Sequence, residues 1–199
     1  MKISILLGHP RPDSLNHALA HAAADAARAL GHDVRFHDLQ AEGFDAVLPA
    51  GEEPAGAPLP PEIEVHCKEI AEADGIAVVH PNWWGKPPAI LAGWIDRVLR
   101  PGVAYRFDPG DGGEGVPVGL LRARSAIVLN TSNTFPEREA RVFGDPLERI
   151  WKDCIFGLCG VARVERRIFG VVVTSTPAER AGWLAEVRAL VERHWPRER

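Results

Sequence analysis

The sequence predicts an α/β protein whose parallel sheet is covered by helices on both faces. Short apolar runs rich in β-branched residues alternate along the chain with stretches whose apolar residues recur at helical spacing. The chain has 199 residues, of which 46% are hydrophobic, and this is enough to build one domain with a full core. We therefore expect residues 1–199 to form a single domain.

Five predicted strands alternate with predicted helices. The strands are expected at Ile3–Leu7, Val34–His37, Ile76–His80, Ser125–Asn130 and Val164–Val173. The helices are expected at Ser14–Leu30, Glu62–Ala73, Pro88–Leu99 and Asp145–Leu158, with a last helix that begins at Thr176-Pro177-Ala178-Glu179 and ends near His194. The spacing of Thr176 and Glu179 is typical of a capping box. Two long connections, Gln40–Pro61 and Pro101–Leu121, are rich in Gly or Pro and are predicted to be irregular.

Right-handed crossovers leave only a few possible topologies for such a chain. For five strands the natural order is 2-1-3-4-5, which is that of a flavodoxin-like three-layer sandwich. Ligands of these sheets bind at the carboxyl ends of strands one, three and four. The sequence therefore predicts a site built from three loops, at Gly8–Asn16, Pro81–Pro87 and Thr131–Pro136.

The loop Pro81–Pro87, here called the indole turn, carries two adjacent tryptophans, Trp83 and Trp84. A single Trp in a surface loop would favour a loop that folds back over its own core. A pair of indoles after a buried strand favours a planar ligand that packs on them.

The other two loops offer polar groups. Gly8–Asn16 ends at a helix start, where unpaired N–H groups and the helix dipole favour a phosphate. An N-cap by Ser14 or Asp13 would explain the same residues without a ligand, but His9 and Arg11 tilt the balance towards an anion. The loop after strand four supplies hydroxyl and amide groups that suit the polar edge of a ring system: Thr131, Ser132, Asn133 and Thr134.

Composition excludes several classes of function. The chain has 23 basic and 27 acidic residues, with a net charge of -4 and no long basic block, so no nucleic-acid partner is expected. No apolar stretch approaches the roughly 20 residues of a membrane helix, so no membrane insertion is expected. His and Cys show no metal-ligand spacing, and no metal is expected. The three cysteines, Cys67, Cys154 and Cys159, are expected to be buried, reduced thiols of a cytoplasmic protein.

Three segments together resemble the flavodoxin-like NAD(P)H:quinone oxidoreductase family, which includes DT-diaphorase and the potassium-efflux ancillary and drug-modulator quinone reductases. The segments are His9-Pro10 with Ser14-Leu15-Asn16-His17-Ala18-Leu19, then Pro81 to Arg97, then Gly102-Val103-Ala104-Tyr105. The middle segment matches the family motif closely, with Ala92 at the position where Lys is usual. The resemblance in layout extends over essentially the whole chain.

The resemblance implies a bound flavin, FMN or FAD, and NAD(P)H as hydride donor. It places the flavin phosphate on His9, Ser14, Asn16, His17 and Ala18. It places the ring on the backbone of Pro81, Asn82, Trp83, Trp84 and Gly85, with Thr131, Ser132 and Asn133 at its polar edge. It also implies a homodimer with Tyr105 near the substrate pocket, and Tyr105 and Asn133 are the candidate catalytic residues.

One departure from the family concerns the loop after strand four. Many members have Thr-Thr-Gly-Gly there, and DT-diaphorase adds a Tyr and a His thought to handle charge on the reduced flavin. This chain has Thr131-Ser132-Asn133-Thr134, and approximate alignment puts Glu137 and Phe143 at the Tyr and His positions. The departure leaves flavin binding intact but puts the identity of the substrate in doubt.

The sequence thus predicts a flavoenzyme of the NAD(P)H dehydrogenase (quinone) type. It would pass a hydride from NAD(P)H through flavin N5 to a quinone or a similar electron-poor aromatic. Two alternatives stay open. One is a single-electron carrier of the flavodoxin type, and the other is an ancillary or regulatory subunit that binds flavin as a structural or sensing ligand.

Overall fold

A computed structural model of the protein describes residues 1–197. The central sheet has five parallel strands in the order β2-β1-β3-β6-β7, and a separate antiparallel pair is formed by β4 and β5. The strands are β1 (Lys2–Leu7), β2 (Asp33–Asp38), β3 (Gly75–Pro81), β4 (Tyr105–Arg106), β5 (Val118–Gly119), β6 (Ser125–Thr131) and β7 (Arg163–Phe169). This order is the predicted 2-1-3-4-5, because β6 and β7 are the fourth and fifth strands of the main sheet.

Helices cover both faces of the sheet. They are α1 (Leu15–Ala29), α2 (Pro61–Glu72), α3 (Ala89–Val98), α4 (Pro136–Phe143), α5 (Pro146–Arg149), which continues as a π-helix over Ile150–Gly157, a 3₁₀ turn (Val172–Thr174) and α6 (Pro177–His194). One apolar layer packs α1 and α6 against the sheet, and the other packs α2, α3 and the π-helix. The flavodoxin-like sandwich is therefore confirmed. That residues 1–199 form a single domain stays a prediction, and residues 198–199 lie outside the described part.

The register of the central strands brings their carboxyl ends to one edge. β3 and β6 are buried along their whole length, as expected for strands covered on both faces. Backbone bonds then continue past the strand ends: Gly8 N–H donates to Val79 at 3.0 Å, and Asn82 N–H donates to Thr131 at 2.7 Å. The three predicted loops consequently start side by side.

Several local predictions were wrong. Helix α4 and the β4–β5 pair were not predicted, since both are short and carry few apolar residues. β7 ends at Phe169 rather than Val173, because Gly170 lies against the Ser132 carbonyl, where a Cβ would sit only 2.5 Å away. Ser132 then accepts a backbone bond from Val172 at 3.0 Å and draws the chain out of the strand. Cys154 is exposed rather than buried.

The long connection after β2 is fixed to α3 by a buried ion pair. Arg97, which is 3% exposed, donates from Nε and Nη2 to both oxygens of Glu52 at 3.0 and 2.6 Å. Gly93 allows the close approach, because a Cβ there would lie 1.9 Å from the Ala46 carbonyl oxygen. This ion pair fixes α3, the helix that follows the indole turn, to the connection after β2.

Candidate functional site

A cavity of about 550 Å³ opens at the carboxyl ends of β1, β3 and β6. All three predicted loops contribute to its walls, and α4, Pro146 and the residue Val172 after β7 complete it. Ten of the predicted site residues line it: His9, Ser14, Pro81, Asn82, Trp83, Trp84, Gly85, Thr131, Ser132 and Asn133.

The first wall is the start of α1. Ser14 is the N-cap, and its Oγ lies 2.9 Å from Nδ1 of His17, while His17 Nε2 lies 2.9 Å from an Asp38 oxygen. No acidic residue stands in the first turn of α1, so the helix dipole is not neutralised there. His9 Nδ1 accepts the Arg11 backbone N–H at 3.1 Å, and burial lowers the pKa of His9. His9 Nδ1 also lies 3.3 Å from the Arg11 carbonyl oxygen; in the tautomer that accepts the Arg11 N–H, the proton is on Nε2, which can donate to a ligand.

Three residues predicted to hold phosphate lie behind this wall rather than in the cavity lining. Asn16 is 3% exposed and donates from Nδ2 to Thr131 Oγ1 at 3.0 Å, which ties α1 to the loop after β6. The backbone N–H of His17 donates to Ser14 Oγ, and that of Ala18 donates to the Ser14 carbonyl. Their side chains and amides thus support the wall, and their contact with a ligand stays a prediction.

The second wall is the indole turn. Asn82 Oδ1 accepts the Gly85 N–H at 3.0 Å and closes the turn. Trp84 has a φ of 59° and Gly85 a φ of 67°, both in the left-handed region. Position 85 also has to be a glycine for lack of space, because a Cβ there would lie 2.6 Å from Pro146 Cγ. Trp83 is 43% exposed and Trp84 is 96% exposed, so this wall presents a large apolar surface.

A fully buried histidine holds the base of the indole turn. His80 Nδ1 lies 2.8 Å from the Pro81 carbonyl, and its Nε2 accepts from Trp151 Nε1 and from Asn130 Nδ2, each at 2.9 Å. Since Nε2 accepts two bonds, the proton sits on Nδ1. Burial lowers the pKa of His80 to about 4, and the Arg166 charge acts in the same direction. His80 is therefore neutral at physiological pH.

The third wall is the loop after β6. Ser132 Oγ accepts the Thr134 N–H at 3.0 Å, and Asn133 Oδ1 accepts the Val173 N–H at 3.0 Å. These bonds orient the loop and leave the Ser132 hydroxyl hydrogen and the Asn133 amide N–H groups as donors. The loop can therefore donate to an acceptor-rich ring edge.

Helix α4 adds two lining residues: sequence reasoning missed Glu139, whereas alignment had placed Phe143 at the position of the family's His. Glu139 and Phe143 stand four residues apart, hence on one face of α4, and both line the cavity. Glu139 is 7% exposed, whereas Glu137, which the alignment had singled out, is exposed. To predict which of the two carboxylates faces the cavity, one would have to know that a helix forms here and which of its faces is buried.

Tyr105 is not part of the cavity lining of its own chain. It lies on β4 and packs against the apolar layer of α2 and α3. Its edge contacts Phe107, with ring centroids 5.7 Å apart. Its catalytic role stays a prediction, as does that of Asn133, which does line the cavity.

A histidine–carboxylate cluster lies away from the cavity, near the end of β2. Potential ligand atoms of His37, Glu42 and His66 lie within 4.8 Å of one another. Both nitrogens of His37 face carboxylates, Glu42 at 3.0 Å and Glu69 at 2.7 Å. Although burial opposes its charge, these bonds raise the pKa of His37. His66 Nδ1 accepts from Trp94 at 3.2 Å, which places the proton on the nitrogen a metal would need. The cluster is thus arranged as a hydrogen-bonded ion network.

The comparisons with known proteins agree with this geometry. Residues 1–191 match the protein family described as having a flavodoxin-like fold. An uncharacterized NAD(P)H oxidoreductase from Haemophilus influenzae is 33% identical over 83% of this chain and 82% of its own length. The human ribosyldihydronicotinamide dehydrogenase [quinone] is 26% identical over 99% of this chain and 93% of its own length.

A solved structure supports the same family. The NAD(P)H:quinone oxidoreductase from Methanothermobacter marburgensis superposes with a TM-score of 0.80 and 26% identity, covering 97% of this chain and 96% of its own. The chain belongs to the flavodoxin-like NAD(P)H:quinone oxidoreductase family, as its motifs predicted, and it is an oxidoreductase enzyme of that class. Within residues 1–197, the structure contains no helix with the length and hydropathy to span a membrane.

Proposed function

We propose that this enzyme binds a flavin in the cavity and uses it to pass a hydride from NAD(P)H to a quinone or another electron-poor aromatic. One observation carries the proposal: a single space joins the N-terminus of α1 to the indole turn. A helix N-terminus suits a phosphate, and the exposed indoles suit a flat ring. The relatives' NAD(P)H oxidoreductase and quinone dehydrogenase names support the choice of donor and acceptor.

The residues present fit a flavin. Ser14 and His9 line the phosphate end, and the backbone of Pro81 to Gly85 lines the ring end. Ser132 and Asn133 offer donors to the polar edge of the ring. When bound, the flavin supplies the hydride relay between nicotinamide and acceptor. The chain itself binds and orients the ligands, and no nucleophilic side chain is required.

The first test is to identify the cofactor. Heat-denatured protein is expected to release a yellow flavin, and chromatography of the supernatant separates FMN from FAD. The purified protein alone should then oxidise NADH or NADPH with menadione as acceptor. A protein that binds neither flavin at micromolar concentration would overturn the proposal. A yellow protein without turnover would favour the ancillary subunit, and turnover only with a partner reductase would favour the electron carrier.

We also propose that the enzyme is a cytoplasmic homodimer. In the described residues, the cavity-lining Trp84 and Phe143 are 96% and 57% exposed, and Phe135, at the start of α4, is 64% exposed. A second copy would cover such surface and complete the pocket, with Tyr105 reaching the site of its partner. Sedimentation equilibrium should give twice the mass of one chain, and a monomeric enzyme with full activity would exclude the shared site.

A further inference from the structure

Glu139 is an acidic side chain that faces the cavity and has no polar partner among the described side chains. It is 7% exposed, and it is the one acidic residue among the lining residues that the structure describes. Its carboxylate makes no side-chain hydrogen bond and no ion pair with any of residues 1–197. The same face of α4 carries Phe143, which also lines the cavity. The carboxylate is therefore held against the cavity by the helix rather than by polar bonds.

No cation of the lining compensates this charge. The other charged lining residue is Arg11, which lies 3.0 Å from an Asp13 oxygen in an exposed pair. Burial lowers the pKa of His9, which favours its neutral form. Arg166, on the neighbouring strand β7, is engaged by Asp145, Glu148 and Asn130. Glu139 is therefore the one charged group that α4 contributes to the described lining of the cavity.

A carboxylate that is cut off from water and has no partner is strongly unfavourable. Glu139 must therefore be solvated by cavity water or by a ligand. A ligand that displaces this water has to present an N–H or O–H group, or at least no negative charge. An anionic group would bring a second negative charge next to the Glu139 carboxylate, and the two charges would repel each other.

We propose that Glu139 makes the cavity selective for uncharged aromatic ligands over anionic ones, and that its carboxylate favours most those that carry a hydrogen-bond donor. The proposal rests on the proposed function, because it names the class of aromatic compound that the same cavity accepts. Glu139 is a specificity-determining residue in this view. Its carboxylate accepts a hydrogen bond from the ligand and takes no part in breaking or forming covalent bonds.

The test compares two ligands of the same ring size, naphthalene-2-carboxamide and naphthalene-2-sulfonate, by calorimetric titration of the purified protein. The wild-type protein should bind the carboxamide at least tenfold more tightly than the sulfonate. Glu139→Gln keeps the size of the side chain and removes the charge, so this ratio should fall at least tenfold. Glu137→Gln makes the same charge change two residues away on an exposed position, and its ratio should stay within twofold of wild type.

A turnover measurement extends the test to acceptors. The ratio of kcat/KM for 1,4-naphthoquinone to that for its 2-sulfonate should fall by about the same factor in Glu139→Gln. Comparing ratios between variants cancels the different potentials of the two quinones. Glu139→Ala should reproduce the result if the glutamine variant folds poorly by circular dichroism.

The outcomes separate the two proposals. Absence of flavin or of turnover contradicts the proposed function, whereas the binding ratio judges Glu139 independently of activity. An unchanged ratio in both Glu139 variants, an equal change in Glu137→Gln, or a wild-type protein that does not bind the carboxamide would each overturn the role of Glu139.

Discussion

Two of the three walls of the cavity, the start of α1 and the indole turn, differ in how they are held. At the start of α1, Ser14, Asn16 and His17 are 4%, 3% and 6% exposed, and each is fixed by hydrogen bonds to side chains from other elements or from the helix cap. In the indole turn, Trp84 is 96% exposed and rests on a left-handed backbone conformation. One wall is therefore complete before a ligand arrives, and the other is complete only when something covers the indoles.

The difference fits the role that we propose for each wall, a phosphate at the start of α1 and a ring at the indole turn. A phosphate needs donors aimed at fixed points, and buried hydrogen-bonded side chains supply that order at little cost on binding. A ring needs flat apolar surface, and leaving it exposed keeps it accessible. Changes to the first wall and to the base of the turn should therefore cost stability, whereas changes at its tip should cost binding.

The largest expected effect is a loss of folding stability at acidic pH, caused by His80 at the base of the indole turn. Burial lowers the pKa of His80 from 6.5 to about 4. Between these two pH values the unfolded chain takes up a proton that the folded chain refuses, so stability falls as the pH falls. His80 alone should remove about 3 kcal/mol across this range. Urea unfolding followed from pH 7 to pH 4 measures the loss.

Variants assign this loss to single histidines. His80→Gln should flatten the pH dependence although it lowers stability at every pH. His66, whose pKa burial and the His37 charge lower to about 4, adds a loss in the same range. His37 has a raised pKa, so its contribution is complete below pH 6.5 and is lost only at higher pH. His21→Gln, at an exposed position, is the control, and a curve for His80→Gln as steep as wild type would exclude the assignment.

The second effect concerns the link between the first wall and the loop after β6. Asn16→Ala should lower the free energy of unfolding by about 1–3 kcal/mol, because Thr131 Oγ1 loses a buried partner. Thr131→Val should cost a similar amount, and the double variant should cost less than the sum. Urea unfolding of the four proteins gives the coupling. Additive losses would show that the two residues act separately and that the walls are not tied together.

The fold was largely accessible from sequence because its main strands are apolar runs bounded by turn residues. β3 and β6 could be located without knowledge of their neighbours, and right-handed crossovers then left few orders. The end of β7 could not be found in this way, since Val171–Val173 is more apolar than the strand itself, which carries four charged residues among its seven. A contact remote in sequence, between Gly170 and Ser132, ends it.

The site was predictable to the extent that the topology brings strand ends together. His9, Trp83 and Ser132 come from loops that follow different strands, and strand order alone predicted that they would meet. Asn16 shows the limit, because the family resemblance placed it on a phosphate, whereas its amide is used by Thr131. Glu139 shows the same limit of sequence-based prediction, since the rotation of an unpredicted helix about its axis decides which of two glutamates faces the cavity.

The third effect tests how tightly the turn must fit against α5. Gly85→Ala places a side chain at a φ of 67° and a Cβ 2.6 Å from Pro146 Cγ. The left-handed conformation should cost about 1–2 kcal/mol, and the turn should shift away from Pro146. We expect a lower melting temperature together with weaker flavin retention. Gly112→Ala is the matched control, because a Cβ there meets no atom within 4 Å.

The smallest expected effect on stability is at Trp84, at the tip of the indole turn. This residue differs most from the buried residues at the start of α1. Trp84→Ala should change the free energy of unfolding of the ligand-free chain by less than about 0.5 kcal/mol, because the side chain is 96% exposed. The same change should reduce flavin content or raise the KM for the acceptor. Val47→Ala, at a position 72% exposed and outside the cavity lining, should do neither. If Trp84→Ala instead unfolds the ligand-free chain without changing flavin content, the turn is held by its own indole, and the second wall is as self-sufficient as the first.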